Sequence, residues 1–273
     1  MPSRLGSVDD RLRYLAQQAE LGGAELIIGR GERAAAALDA PPVPEPIEDA
    51  DAAAPPEAAW MKGAPPVPGP GLAVDAPPAG FLRPEVGSLP TLDAVAEMIR
   101  TTWCCETLCP TRTHAVPGDG SASADLVLVG EGPGAKEDET GSPFVGAAGA
   151  LLSKMLEAIG LTRDDVFICN VVKCRPPQNR KPEPHEMTAC MPYLWRQLEL
   201  IRPKVIVALG GTAAEALLGV KQSLGSLRNK VHTLGGASLV VTYHPAALLR
   251  NPNWKKPAWD DVRIARQLLD RAR

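Results

Sequence analysis

The amino-acid sequence predicts an α/β fold for residues 91–273, a three-layer α/β/α sandwich with a four-stranded parallel sheet. Segments with the periodicity of helices alternate with short runs rich in Val, Ile and Leu, the order of elements typical of parallel sheets. Each run is apolar throughout, as expected of strands covered by helices on both faces. The predicted strands are residues 126–129, 166–169, 205–209 and 239–242, with helices predicted at 92–101 and from 150 to 156.

The first 90 residues have a different composition. Fourteen of the 28 prolines lie between Pro41 and Pro90, mixed with alanine and acidic residues, and such a segment buries too little apolar surface to fold. We therefore expect residues 41–90 to form a semi-rigid disordered linker. Residues 1–40 have apolar positions at helical spacing, which predicts a short helical segment, either solvated or binding an unknown protein partner.

Charge divides the chain at the same place. Residues 1–90 carry 13 acidic and 7 basic side chains, whereas residues 91–273 carry 19 and 22. The mildly basic folded part is compatible with a nucleic-acid partner but is too weakly charged to indicate one by itself. Because no apolar run is long enough for a membrane span and no signal-peptide pattern is present, we expect a cytoplasmic protein of the bacterial cytosol or nucleoid. We also expect the protein to be a monomer.

Polar and glycine-rich segments follow every predicted strand. They read GEGPG from residue 130, NVVKCRPP from 170, GGTAA from 210 and YHPAALLRNP from 243. Because open parallel sheets bind ligands at the carboxyl ends of their strands, we expect these segments to meet in one cleft. That cleft would collect Glu131, Glu137, Asn170, Thr212 and His244.

A dinucleotide-binding oxidoreductase is one alternative, since Gly130, Gly132 and Ala135 fit a loose G-x-G-x-x-A fingerprint. The acidic residues 137–139 would repel a pyrophosphate, and no acid ends the second strand to bind a ribose hydroxyl. The sequence therefore disfavours this function.

The segment GEGPG…ED…PFVG, the segment NVVKCRPP, the cysteine set and HPAALLRNP together resemble a family 4 uracil-DNA glycosylase. The resemblance covers about residues 92–270, with the motifs in order at successive strand ends. It implies a uracil-DNA glycosylase-like fold with uracil-containing DNA as the partner. The implied activity is monofunctional hydrolysis of the N-glycosidic bond of deoxyuridine, which leaves an abasic site for base excision repair.

The resemblance implies roles for three residues of a uracil pocket. Phe144 would stack on the flipped-out uracil, and the carboxamide of Asn170 would bond both O4 and N3–H of the base. His244 would donate to O2 as the glycosidic bond lengthens. Without the resemblance, Phe144 would be interpreted as an aromatic residue of the hydrophobic core. Asn170 would be interpreted as an asparagine that bonds to loop backbone, and His244 as an ordinary loop histidine.

The acidic loop would supply the attacking water. By the resemblance, Glu137 activates it with Asn179 as its partner, while Glu131 and Gly132 line the pocket. Gly132 stands where the family more commonly has alanine, which we expect to loosen the loop. Without the resemblance, the acids would be a solvated loop.

The loop after the fourth strand would contact DNA. The resemblance places it in the minor groove, with Leu248 in the 248–250 tip as an apolar wedge and Arg250 on a phosphate. The pattern alone also fits a helix N-terminus that buries its leucines. We further expect Lys173 to face DNA.

The six cysteines indicate a metal site, because disulfides are rare in cytosolic proteins. The resemblance implies a structural 4Fe–4S cluster whose second ligand pair is Cys174 and Cys190. For the first pair this chain lacks the family's C-x-x-C, so we choose Cys105 with Cys109, and Cys104 with Cys109 stays open. Cys169 lies inside a strand and is assigned to the core. Zinc is the alternative metal.

A covalent or non-catalytic uracil-DNA binding protein is the alternative within the resemblance. Some relatives bind uracil-DNA covalently through a histidine in a basic insertion near the second cysteine pair. This chain has His185 in the region but lacks the insertion, so turnover is the prediction.

Overall fold

A computed structural model describes residues 59–75, 77, 82–102 and 105–272. All of them belong to one unit that spans residues 56–273. The helical segment predicted at 1–40, residues 41–58 of the predicted linker, and Cys104 lie outside the described residues.

The described chain contains a mixed sheet of seven strands, where the sequence predicted a four-stranded parallel one. The strands are β1 (Pro70–Val74), β2 (Asp119–Gly120), β3 (Leu126–Gly130), β4 (Val166–Asn170), β5 (Val205–Leu209), β6 (Val231–Leu234) and β7 (Ala237–Thr242). Their order is β1-β6-β7-β5-β3-β4-β2. The four predicted strands are the neighbours β7, β5, β3 and β4, all mutually parallel.

The prediction missed the strands at the two edges of the sheet. Strand β2 has only two residues and pairs antiparallel with β4, while β6 pairs antiparallel with β7 and parallel with β1. The edge strands β1 and β2 are short or carry proline and glycine, because an edge strand has less of its surface buried than a central one. Strand β6 lies inside the sheet, but its sequence, VHTL, lacks a continuous apolar run.

Helices cover both faces of the sheet. They are α1 (Pro84–Gly87), α2 (Leu92–Thr101), α3 (Ala135–Thr140), α4 (Ala147–Glu157), α5 (Pro184–Ile201), α6 (Gly211–Leu218), α7 (Leu224–Leu227), α8 (Pro245–Arg250) and α9 (Lys255–Arg271). Alternate residues of β3 enter two separate cores: Val127 and Val129 pack with α2, α5 and α6, whereas Leu126 and Leu128 pack with α4 and α9. The three-layer arrangement follows from this alternation.

The predicted linker extends too far toward the carboxyl end. Residues 59–75 and 82–90 are part of the fold, which contradicts a disordered segment reaching residue 90. Pro70 begins the edge strand β1, a position that tolerates proline, and the amide of Leu72 donates to Nδ1 of the buried His232 (3.0 Å). Trp60 is buried against α9, with the guanidinium of Arg266 5.6 Å from its ring centre.

Within the described residues, no helix has both the length and the apolarity needed to cross a membrane.

Candidate active site

A cavity of about 600 Å³ opens at the carboxyl ends of β3, β4, β5 and β7. The strand ends therefore meet in one cleft, as predicted. Thr212, Leu248 and Lys173, which the sequence also predicted for the cleft or for DNA contact, do not line it. The eight predicted residues that do are Glu131, Gly132, Glu137, Phe144, Asn170, Asn179, His244 and Arg250.

Asn170 supplies an unpaired acceptor to this cavity. It closes β4, its residue is 1% exposed, and its Oδ1 has no hydrogen-bond partner among the described residues. A β-carbon on Gly130 would lie 2.4 Å from that oxygen and 2.7 Å from Cζ of Phe144, so glycine is needed for the amide and the ring to approach the backbone. A buried acceptor without a partner costs about 1–3 kcal/mol, which a ligand N–H would recover.

Phe144 is held in an unusual backbone conformation. Its φ of 51° is left-handed, which is rare for a bulky residue. Arg163 stabilises the turn by donating from Nη1 to the carbonyl of Phe144 (3.2 Å) and from Nη2 to that of Pro143 (2.9 Å). The backbone of Gly149 packs directly on the Phe144 carbonyl, where no β-carbon would fit. The Phe144 ring centre lies 5.5 Å from that of His244.

His244 presents a neutral N–H donor. Its Nδ1 accepts from the amide of Ala246 (3.1 Å) at the start of α8, so in the neutral ring the proton is on Nε2. Burial, and next the charge of Arg250, lowers the pKa of His244 from 6.5 to about 4, while Glu137 acts in the opposite direction. The ring is therefore uncharged at neutral pH.

Glu137 connects the start of α3 to the start of α4. Its Oε2 accepts from the amide of Gly134 (3.1 Å), and its Oε1 accepts from the amides of Val145 (3.1 Å) and Gly146 (3.2 Å). Since a carboxylate oxygen has two lone pairs, these bonds leave one lone pair on Oε2. The side chain thus has a structural role and still lines the cavity with an available acceptor.

The predicted pairing of Asn179 with Glu137 is not found among the described contacts. Asn179 is exposed with a left-handed φ of 57°, and its Oδ1 accepts from Nε of Arg175 (2.7 Å). Both residues line the cavity, but each is held by other groups.

The start of the acidic loop packs closely against its neighbours. Oε2 of Glu131 accepts from the hydroxyl of Thr212 (2.5 Å), which joins the loops after β3 and β5. A β-carbon on Gly132 would lie 2.6 Å from Cγ2 of Val172. In this chain glycine therefore permits a close approach between two loops, rather than loosening the pocket wall as expected.

The predicted wedge residue Leu248 lies in the hydrophobic core. It is 2% exposed and packs with α4 and α9, which contradicts a direct contact with DNA. The neighbouring Leu249 is 46% exposed. In the short helix α8, Leu248 faces the core and Leu249 faces solvent. Two consecutive leucines in a sequence do not show which of them is buried.

Lys173 is buried and does not face DNA, contrary to the prediction. It has no exposed surface, and its Nζ donates to the carbonyl of Asn170 (2.8 Å) and to Oε1 of Gln197 (2.7 Å). Gln197 in turn donates to the carbonyl of Pro117 (2.8 Å). These bonds position the backbone of Asn170.

An aromatic stack at the cavity was not predicted from the sequence. The rings of Tyr243 and Trp254 are 4.9 Å apart and nearly parallel (9°), and both residues line the cavity. The guanidinium of Arg228 lies 4.4 Å from the Tyr243 ring centre and forms two hydrogen bonds to the buried Asp261. Tyr243 directly precedes His244, which was the available sequence signal.

Two of the predicted metal ligands, Cys109 and Cys174, lie next to each other in space. The sulfurs of Cys109 and Cys174 lie 3.8 Å apart, and Arg112 donates to both, at 3.5 Å and 3.2 Å. The amide of Cys105 donates to the Cys109 sulfur (3.4 Å). Cys190 is fully buried in the same core.

Across the described residues, no three or more His, Cys, Asp or Glu side chains form a group arranged to hold a metal ion. The four-cysteine ligand set therefore stays a prediction. Cys169 is in the core, as predicted, and burial raises the pKa of its thiol.

His185, the residue considered for covalent attachment, is outside the cavity lining. Its side chain is 57% exposed, and its Nδ1 lies 3.4 Å from a carboxylate oxygen of Glu183.

Comparison with known proteins agrees with this geometry. Residues 117–263 match the family model described as the uracil DNA glycosylase superfamily. The chain belongs to this superfamily. The matched span contains every cavity residue predicted above, whereas Cys105 and Cys109 precede it.

The relatives of this glycosylase domain include a type-4 uracil-DNA glycosylase of Saccharolobus solfataricus, 45% identical over 65% of this chain and 86% of the relative. One of Thermotoga maritima is 48% identical over 59% of this chain and 84% of the relative. A type-5 uracil-DNA glycosylase of Thermus thermophilus is less similar, 38% identical over 50% of this chain and 70% of the relative.

Proposed function

We propose that this protein is a uracil-DNA glycosylase that hydrolyses the N-glycosidic bond of deoxyuridine in DNA, releasing uracil and leaving an abasic site. Family membership and the similarity to type-4 enzymes support this activity. The single observation that carries it is the buried, unpartnered Oδ1 of Asn170 in a cavity that also contains the neutral imidazole of His244.

Asn170 reads the base in this proposal. Its Oδ1 accepts from N3–H of uracil and its amide nitrogen donates to O4, while the Phe144 ring stacks on the base. Cytosine presents an unprotonated N3 and an amino group at these positions, so it would leave the buried acceptor unpaired. The bonds from Lys173 and Arg163 hold the backbone behind both recognition side chains.

His244 stabilises the departing base. Its Nε2–H donates to uracil O2, where negative charge develops as the bond to the sugar lengthens. A neutral N–H donor stabilises this charge by a hydrogen bond and requires no proton transfer to the base.

Glu137 holds the attacking water. The free lone pair on its Oε2 accepts from that water, and the carboxylate charge stabilises the oxocarbenium-like sugar. The three backbone bonds to Glu137 orient the carboxylate before substrate arrives. No residue is assigned as an amine nucleophile, since Lys173 is buried behind Asn170, and the proposed reaction is therefore monofunctional.

Uracil reaches such a cavity only after extrusion from the duplex, at a cost of a few kcal/mol. We assign the wedge role to the exposed Leu249 in place of Leu248, with Arg250 on a backbone phosphate.

The donor chemistry around Cys109 and Cys174 suits an iron–sulfur cluster. Thiolates are the ligands of such clusters, and a cationic hydrogen-bond donor such as Arg112 stabilises sulfur charge. We assign Cys105, Cys109, Cys174 and Cys190 as ligands of a structural 4Fe–4S cluster, which would pin the loop before β2 to the segment after β4. Hydrolysis transfers no electrons, so the cluster supplies stability and not chemistry.

We further propose a monomer that acts on chromosomal DNA in the cytosol. The domain boundaries of the amino-terminal 58 residues and their binding of a protein partner stay proposals.

The activity is tested by incubating the full-length protein with an oligonucleotide that contains one uracil and then cleaving abasic sites with alkali. We expect strand cleavage at uracil and none in matched oligonucleotides that carry cytosine or thymine. A full-length protein that retains its iron and releases no uracil would contradict the proposal.

One variant and its control test the role assigned to Asn170 in the same assay. Asn170→Ala should reduce the preference for uracil over cytosine by about tenfold or more, since a missing buried hydrogen bond to substrate costs about 1–3 kcal/mol. Unchanged discrimination would exclude Asn170 as the recognition residue. Arg175→Ala is a matched control, since it removes a partner of Asn179 and no contact of Asn170.

A further inference from the structure

Trp254 is exposed at the same cavity where the buried recognition residues lie. It is 38% exposed, one of four exposed large apolar side chains among the described residues, together with Met61, Val145 and Leu249. Unlike Met61, it lines the cavity. An aromatic side chain exposed beside a binding cavity offers a face on which the ring of a ligand can stack.

The indole ring of Trp254 packs on the side chain of Tyr243. Tyr243 covers one indole face at 4.9 Å in a parallel arrangement. The guanidinium of Arg228 lies over the Tyr243 ring, 4.4 Å from its centre. Trp254 and Arg228 therefore both pack on Tyr243.

The side chains of Arg228, Asp261 and Thr242 are buried and hydrogen-bonded to one another. Nε and Nη2 of Arg228 donate to Oδ2 and Oδ1 of Asp261 (2.8 and 2.9 Å), and the hydroxyl of Thr242 donates to Oδ2 of the same carboxylate (2.7 Å). These contacts hold the aromatic platform, formed by Trp254 and Tyr243, in place before any ligand binds. Such preorganisation reduces the entropy cost of binding.

We infer that the outer face of Trp254 is a stacking site for the nucleobase next to the uridine on the same strand. Tyr243, His244 and Trp254 line the same cavity, so we expect a base stacked on Trp254 to lie beside the extruded nucleotide. The exposed cations Arg250, Lys255 and Lys256 are close in the chain and suit the phosphates that join such nucleotides. This inference rests on the proposed function.

Stacking on an aromatic face is tolerant of sequence, because every base has a π surface. To stack on Trp254, the neighbouring base must also leave the stack of bases in its own strand. We therefore expect Trp254 to lower the KM for single-stranded substrate with little effect on kcat, irrespective of which base flanks the uracil.

A double-mutant cycle between protein and substrate tests the inference. Full-length wild type and Trp254→Ala are compared on single-stranded oligonucleotides in which the nucleotide 5′ or 3′ of uracil is intact or replaced by an abasic tetrahydrofuran. For wild type, one of the two replacements should raise KM about tenfold, the value expected for loss of one base–aromatic stack. For Trp254→Ala with the intact strand, KM should rise by the same factor, and the replacement should then have no further effect.

Trp254→Phe should retain most of the coupling, because it keeps an aromatic face, and Met61→Ala serves as the control for removing an exposed apolar side chain. An unchanged KM in Trp254→Ala, or a replacement effect that persists in full in that variant, would overturn the inference. Failure of wild type to release uracil at all would refute the proposed function instead, and 2-aminopurine fluorescence beside uracil would still report stacking on Trp254.

Discussion

Lowering the pH tests how His244 acts, because its ring should stay neutral well below the usual range of histidine. Burial, and next the charge of Arg250, lowers the pKa of His244 from 6.5 to about 4. Since one pKa unit corresponds to about 1.4 kcal/mol, protonating the folded site costs about 3 kcal/mol more than protonating a free imidazole. Single-turnover release of uracil should therefore be constant from about pH 8 to about pH 5 and fall only as the pH approaches 4.

The lowered pKa of His244 also determines how the free energy of unfolding changes with pH. Below pH 6.5 the unfolded chain binds a proton at His244, whereas the folded protein does not until the pH nears 4. The contribution of His244 to the free energy of unfolding is thus constant above pH 6.5. It decreases as the pH falls from 6.5 to about 4 and is constant again below that value.

The assay is a pH series of single-turnover rates, combined with nitrogen-15 NMR of labelled histidine. A rate that falls with a midpoint near pH 6.5, or a proton found on Nδ1 of His244 at neutral pH, would refute this reasoning. Arg250→Ala should raise the pKa of His244 in the NMR titration, because a nearby positive charge is removed, and Arg250→Lys should not.

Leu248→Ala should lower the free energy of unfolding by about 2–5 kcal/mol, as expected for a cavity in a packed core. Leu249→Ala should leave thermal stability unchanged and reduce uracil release from duplex DNA more than from single-stranded DNA. If Leu249→Ala instead lowered stability and Leu248→Ala reduced uracil release from duplex DNA, Leu248 would be the wedge. Cys174→Ser should lose iron and thermal stability together, whereas Cys169→Ala, the buried cysteine that is not an assigned ligand, should keep its iron content. Full iron in Cys174→Ser, measured per mole of folded protein, would exclude Cys174 as a ligand.

The parallel core of the sheet was predictable from sequence for a specific physical reason. Strands covered on both faces are apolar along most of their length, so β3, β4, β5 and β7 each contain a continuous apolar run. Chain direction then places the residues after these strands at one edge, and the cleft containing Asn170, Glu137 and His244 follows from that rule.

Tertiary packing alone decided what each of those residues contacts. Whether Leu248 or Leu249 faces solvent depends on which side of a six-residue helix meets α4 and α9, and adjacent identical letters contain no such information. The burial of Lys173 depends on Gln197, 24 residues further along the chain, which offers it an acceptor. Likewise, the orphaned oxygen of Asn170 and the stack of Trp254 on Tyr243 exist only because distant segments pack there. Sequence determines which strands are buried because burial requires an apolar composition, whereas side-chain partners are set by contacts between segments that no local pattern encodes.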